Sequence, residues 1–205
     1  MSPPTLSLNA VSLPRGAVRD LSREFGAGVH LIVGPNGVGK TSLLNAIAGT
    51  LPLTSGSIHL DGVPLKSGST QVVLAPNAPP EIPWIRAGLL LDFIVSLYPS
   101  TRRDARYAAS VVDQFDIGDL LAAPLETLSA GSARKLLLAA TLIAAPPVML
   151  FDEPTNEIDA ASIKAFLELV GDIAARNIVV ITTHHAADLD ALTPTLLELG
   201  SGPIS

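Results

Sequence analysis

Val29-His30-Leu31-Ile32-Val33-Gly34-Pro35-Asn36-Gly37-Val38-Gly39-Lys40-Thr41-Ser42 is the stretch that decides the fold of this chain. Its first five residues are a short apolar run ending at glycine, which suits a strand buried on both faces, as in a parallel sheet. Residues 34–41 then match the spacing G-x-x-x-x-G-K-[ST], and apolar side chains at 43, 44, 47 and 48 open a helical stripe. Glycines let backbone N–H groups turn inward around phosphate oxygens, and the helix presents its positive end to the same anion. Lys40 reaches the β- and γ-phosphates as a point charge. The Thr41 hydroxyl suits Mg2+, a hard ion that prefers oxygen, and Ser42 adds a contact to the α-phosphate. Gly34, Pro35, Asn36, Gly37, Val38, Gly39, Lys40, Thr41 and Ser42 are therefore the candidate nucleotide-binding residues. A glycine-rich turn with a chance lysine is the plain alternative, and the strand before and helix after argue against it. The loop by itself implies nucleotide binding without fixing the class of ATPase.

A second apolar run, Val148-Met149-Leu150-Phe151, delivers Asp152 and Glu153 at its C-terminal end. Ligand sites in open α/β sheets lie at such strand ends. Asp152 is placed to hold the Mg2+ shell, directly or through water. Glu153 is placed to orient and polarise an attacking water. Two acids after a strand are in isolation just a helix N-terminal pair; the upstream phosphate loop gives them the sharper reading.

Leu128-Ser129-Ala130-Gly131-Ser132 precedes a helix rich in leucine and alanine, and Asp152 follows twenty positions after Ser132. Serine and glycine at a helix N-terminus make an anion site from a hydroxyl, backbone N–H groups and the helix dipole. Ser129 also reads as a simple N-cap, and the two roles can coexist. With these motifs in this order the chain resembles the ATP-binding cassette (ABC) superfamily, specifically a transporter nucleotide-binding subunit. The family signature reads L-S-G-G-Q and is matched at Leu128, Ser129 and Gly131. Pro154-Thr155-Asn156-Glu157-Ile158-Asp159 resembles the family's D-loop region, with Asp159 at the dimer interface. Thr183-His184 resembles the switch histidine after the last core strand, and residues 9–47 follow the cassette pattern. The resemblance covers nearly the whole chain.

That resemblance implies an α/β fold of the P-loop NTPase type: a RecA-like parallel sheet core with N-terminal antiparallel β strands, carrying a helical subdomain insertion. It implies one ABC ATPase domain over 1–205, with 1–76 and 146–205 as the nucleotide-binding core and 77–145 as the mostly helical signature subdomain. ATP and Mg2+ are the implied cofactors. Glu153, His184 and Lys40 are the implied catalytic residues, and Thr41, Asp152 and Asn77 the implied metal contacts. Ser129, Ala130 and Gly131 would cap the γ-phosphate held by a second cassette, so two copies sandwich two nucleotides head to tail as a homodimer or heterodimer. The implied function is ATP hydrolysis coupled to transport through a separate integral membrane permease, with the chain cytoplasmic and peripheral on the inner face of the cell membrane. Compact length and the L-S-A-G variant are reminiscent of small exporter cassettes, including haem-export types. The alternative is a soluble ABC-type ATPase of cofactor assembly, or a regulatory cassette not coupled to transport. Chromosome and repair members insert long coiled coils between phosphate loop and signature; only about ninety residues without heptads lie there in this chain.

Three departures from the family pattern stand out. Asn77 occupies the place of the usual glutamine at the entry to the helical insertion, with the same amide on a shorter arm. Ala130 and Ser132 replace a glycine and a glutamine of the signature. The stretch Leu13-Pro14-Arg15-Gly16-Ala17-Val18 lacks the aromatic residue that commonly stacks on adenine, leaving the Arg15 guanidinium plane as a substitute.

Composition bounds the rest. In 205 residues, 48% are apolar and 16% charged, against about 25% charged in ordinary soluble chains, and mean hydropathy is +0.44. Disorder is excluded. Membrane insertion is not expected: the apolar run 136–151 is split by Pro146-Pro147, the run 82–98 carries Arg86 and Asp92, and neither meets the roughly 20 apolar residues a span needs. Met1-Ser2-Pro3-Pro4 does not read as the start of a signal peptide. A net charge of −6 makes non-specific nucleic-acid binding a poor expectation; the clusters Arg15, Arg19, Arg23 and Arg102, Arg103, Arg106 read as solvated faces. The absence of cysteine excludes disulfides, thiolate catalysis and zinc–thiolate sites. Trp84, Ile85, Leu89, Leu90, Phe93 and Tyr98 form an expected apolar patch for a membrane partner. Strands are expected at 5–13, 57–60 and 70–74, the last two about the Asp61-Gly62 turn, and at 177–182. Helices are expected at 87–98, 103–115, 132–144 and 160–176. His185 has no expected role.

Overall fold

Continuous apolar runs need both faces covered, and the structure meets that demand with one central parallel sheet. It is a computed structural model describing residues 3–78, 80–98, 104–184 and 186–200; Arg102, Arg103 and His185 lie outside them. In chain order the elements are β1 (Leu6–Ser12), β2 (Leu21–Phe25), β3 (Gly28–Val33), α1 (Lys40–Ile47), β4 (Ser55–Leu60), β5 (Val63–Pro64), β6 (Val72–Ala75), α2 (Ala87–Ser96), α3 (Ala105–Gln114), α4 (Ala130–Ala144), β7 (Val148–Asp152), α5 (Ala160–Ala174), β8 (Ile178–Thr182) and β9 (Thr195–Glu198), with short 3-10 turns between.

The parallel sheet runs β6-β7-β8-β3-β9. Side chains alternate across it. Leu31, Val73, Met149, Phe151, Val179 and Ile181 pack with α2, α4 and α5 in one core. Ile32, Val72, Val148, Leu150, Ile178 and Val180 pack in a second core with α1 and the antiparallel sheet β2-β1-β4-β5. The α/β expectation, parallel core with N-terminal antiparallel strands, is what the chain adopts.

Two local expectations are corrected. The segments 57–60 and 70–74 do not pair about Asp61-Gly62: that turn pairs β4 with the two-residue β5, while β6 joins the other sheet beside β7. The physical reason is burial: Val72 and Val73 are both covered, whereas β5 is exposed. Leu90 leaves the expected surface patch, since it lies on the core face of α2, and Ile85 and Tyr98 are half-buried against the same core. Strands β2 and β9 had no sequence expectation of their own. Both are short, and β9 is a sheet edge with only Leu197 buried.

Topology positions the site. Strands β6, β7, β8 and β3 are consecutive neighbours and parallel, so their C-terminal ends line one edge. Those ends lead into Pro76-Asn77, Asp152-Glu153, Thr183-His184 and the 34–39 loop.

Candidate functional site

The 34–39 loop is wound by left-handed glycines. Gly34 has φ 151° and a Cβ there would meet the Leu199 carbonyl at 2.5 Å, so no side chain fits. Gly39 caps α1 with φ 117° and no side-chain hydrogen bond, leaving the first-turn amides to the loop. Lys40 is buried, and its Nζ donates to the carbonyls of Gly34 (2.8 Å) and Pro35 (3.3 Å). Val38 is buried behind the loop, and the Ala17 N–H donates to its carbonyl at 2.9 Å, docking the 14–17 turn onto the loop. Arg15 on that turn is exposed, as are Pro35, Asn36, Gly37 and Thr41, while Ser42 is half-buried.

Strand register brings the acidic pair to this loop. Asp152 of β7 stands opposite Thr182 of β8. The Thr182 hydroxyl donates to Asp152 Oδ1 at 2.6 Å, and the Thr41 hydroxyl reaches both carboxylate oxygens at 3.0 Å. Asp152 is 4% exposed, Thr182 0%. Glu153 takes a left-handed conformation, φ 53°, which costs a residue with a side chain roughly 1–3 kcal/mol unless the surroundings fix it. They do. Its N–H donates to the Thr182 carbonyl and hydroxyl, both at 3.1 Å, and its carbonyl accepts from Asn156 N–H and from Arg134. Its carboxylate is 9% exposed and meets His184 twice, at Nε2 (3.0 Å) and at the backbone N–H (3.2 Å).

The signature segment lies at the start of α4. Ser129 is the N-cap: its Oγ accepts from Ser132 N–H at 3.1 Å and donates to Ser132 Oγ at 2.9 Å. Ser129 and Ala130 are exposed and Gly131 is half-buried. Asp159 caps α5, bound by Ser162 N–H (2.9 Å), the Ser162 hydroxyl (3.0 Å) and Lys135 Nζ (3.3 Å). Those contacts, the Ser162 N–H foremost, hold its carboxyl down at about 2. A cavity of about 570 Å3 is lined by Asn77, Ala78, Ala130, Arg134, Asn156 and Glu157. Asn77 is exposed on its wall and takes no part in the hydrogen bonds joining Thr41, Asp152 and Thr182.

The structure thus gathers Lys40, Thr41, Asp152, Glu153 and His184 at neighbouring strand ends, while Asn77 and Ala130 line the adjoining cavity, Ser129 and Gly131 flank Ala130 at the start of α4, and Asp159 caps α5. Sequence reasoning missed two residues. Thr182 is a lone hydroxyl closing an apolar strand beside Asp152. Arg134 is a lone cation on the buried stripe of a leucine–alanine helix; that mismatch was its visible signal. Burial lowers the Arg134 pKa, while Asp152, Glu157 and Glu153 raise it.

The donor set around Asp152 is all hard oxygen: two carboxylate oxygens and the hydroxyls of Thr41 and Thr182. This fits Mg2+, which takes one or two carboxylates and leaves the rest of its shell to phosphate and water. Among the described residues no cluster of three or more His, Asp or Glu offers an all-protein cage.

A family model described as ABC transporter matches residues 18–156. The zinc transport system ATP-binding protein TroB of Treponema pallidum is 29% identical over 77% of this chain, which spans 62% of TroB's length. The cytochrome c biogenesis ATP-binding export protein CcmA of Cereibacter sphaeroides is 32% identical over 95% of this chain and 84% of its own. A solved ATP-binding subunit of an ABC transporter superposes with a TM-score of 0.86 at 20% identity, covering 95% of this chain and 85% of the other.

Proposed function

This chain belongs to the ABC transporter family, whose cassettes are ATPases, and from that premise we propose that it is the ATP-hydrolysing subunit driving a separate membrane permease. The observation that carries the reading is the Glu153–His184 pair standing one strand end away from the Thr41–Asp152 contact. Residues 34–42 cradle the triphosphate, with backbone N–H groups and Lys40 facing its negative oxygens. Thr41 and Asp152 would hold Mg2+, which would supply positive charge to offset that of the phosphate oxygens. Glu153 accepts a proton from the attacking water. His184 aligns Glu153 through Nε2 and contacts the γ-phosphate. Asn77 approaches from the cavity side. Ser129, Ala130 and Gly131 close over the nucleotide of a second cassette, with Asp159 at that interface.

Trp84, Leu89, Phe93 and Leu97, all exposed, support a permease partner over the soluble-ATPase alternative. Glu153→Gln tests the motor. Hydrolysis should fall by roughly 100-fold or more, and ATP with Mg2+ should drive the variant to a dimer in analytical ultracentrifugation. Retained turnover overturns the role of Glu153. A monomer at saturating ATP overturns the sandwich.

A further inference from the structure

We infer that Arg134 is a positioning residue for the hydrolytic carboxylate, joining Glu153 and the segment that carries Asn77 to the signature helix; this rests on the reading of Glu153 as the base. Arg134 lies one turn into α4, five positions after Ser129, and is 2% exposed. Its partners are backbone carbonyls: Nη1 donates to Pro76, and Nη2 to Asp152 and Glu153. Those carbonyls sit at the ends of the neighbouring strands β6 and β7. One planar fork therefore spans two strand ends from a helix, which the single ammonium of lysine cannot do.

The acceptors are informative. Glu153 is left-handed, and that turn aims its carboxylate at His184 only while its own N–H and carbonyl are fixed. Thr182 fixes the first; Arg134, with Asn156, fixes the second. The Pro76 carbonyl directly precedes Asn77. Two more contacts tie the same helix turn to the same region: Gly131 lies against the Glu157 carbonyl, and Lys135 bonds Asp159. A shift of α4 is therefore passed to Glu153 through Arg134. Stability alone gives a poor account of this residue. Nε is buried with no partner among the described residues, and an apolar replacement would remove both that loss and the burial of charge.

The test compares the whole protein with Arg134→Ala, Arg134→Lys and Glu153→Gln, measuring steady-state turnover, equilibrium binding of a fluorescent ATP analogue and the thermal midpoint. Arg134→Ala and Arg134→Lys should lower kcat on the order of 100-fold, as a misplaced reacting group does. Nucleotide affinity should stay within about threefold, the signature of an interaction outside ground-state binding. The cavity beside Arg134 gives access, so millimolar methylguanidinium should restore turnover in part to Arg134→Ala and not to Glu153→Gln. Wild-type turnover in both Arg134 variants overturns the inference, as does unfolding of both, which would mark a structural role. Retained turnover in Glu153→Gln would instead sink the reading of Glu153 and leave the Arg134 result to be judged by its own kcat.

Discussion

Gly131 sits where the first turn of α4 passes closest to the turn after β7. A Cβ placed on it would stand 2.4 Å from the Glu157 carbonyl oxygen, and a backbone atom cannot swing aside. The glycine is therefore required within one copy of the chain, before any nucleotide or second copy is considered. Gly131→Ala should destabilise the isolated protein by about 1–3 kcal/mol, the ordinary range for forced overpacking. In a thermal melt of a chain this size, that is a drop of roughly 2–4 °C per kcal/mol. An unchanged melting temperature would mean that α4 and the 154–159 turn can separate freely. Thr182 works at the same scale. It is β-branched, so it suits a strand, and its single hydroxyl serves both Asp152 and the Glu153 amide.

At the scale of elements, α5 carries a pH dependence that can be worked out in sign. Its N-cap Asp159 titrates at about 2 when folded, against an ordinary 3.8. The folded value lies below the unfolded one, so the cap's contribution is complete above pH 3.8 and is lost as the pH falls toward 2. Asp159→Ala should cost about 0.5–2 kcal/mol, as cap removals do. In urea titrations that difference from wild type should stay constant at neutral pH and narrow below about pH 4. A gap that widens on acidification would contradict the capping geometry. The ion pair with the half-buried Lys135 adds less to this than the Ser162 contacts do, since the Asp159 carboxylate itself is exposed.

For the whole molecule, the apolar surplus divides in two. Most of it fills the cores on the two faces of the parallel sheet. Among the described residues six large apolar side chains are exposed, and four of them, Trp84, Leu89, Phe93 and Leu97, lie within 84–97. No helix among the described residues is long and apolar enough to cross a membrane. The surplus outside is concentrated, as a docking surface requires. A photo-crosslinking amino acid at position 84 or 93 should capture an integral membrane protein in the cell, while Trp84→Ser with Phe93→Ser should leave turnover of the isolated chain within about twofold, since surface changes remote from the site seldom matter. Capture of soluble proteins alone would remove the support for a permease.

Sequence by itself determined the parallel sheet, the phosphate-loop spacing and the acidic pair, because each is local: a buried strand must be apolar throughout, and a loop that wraps an anion must be rich in glycine. The helices at 87–96, 130–144 and 160–174 were legible from their periodicity for the same reason. Tertiary structure alone decided which strand ends are neighbours, and hence that Thr182 faces Asp152 and that Arg134 reaches Pro76, Asp152 and Glu153. It also decided that 70–74 leaves the hairpin suggested by Asp61-Gly62, and that Leu90 turns inward. These contacts join residues distant in the chain through carbonyls and hydroxyls that every sequence contains. No spacing marks them in advance; only packing brings them together.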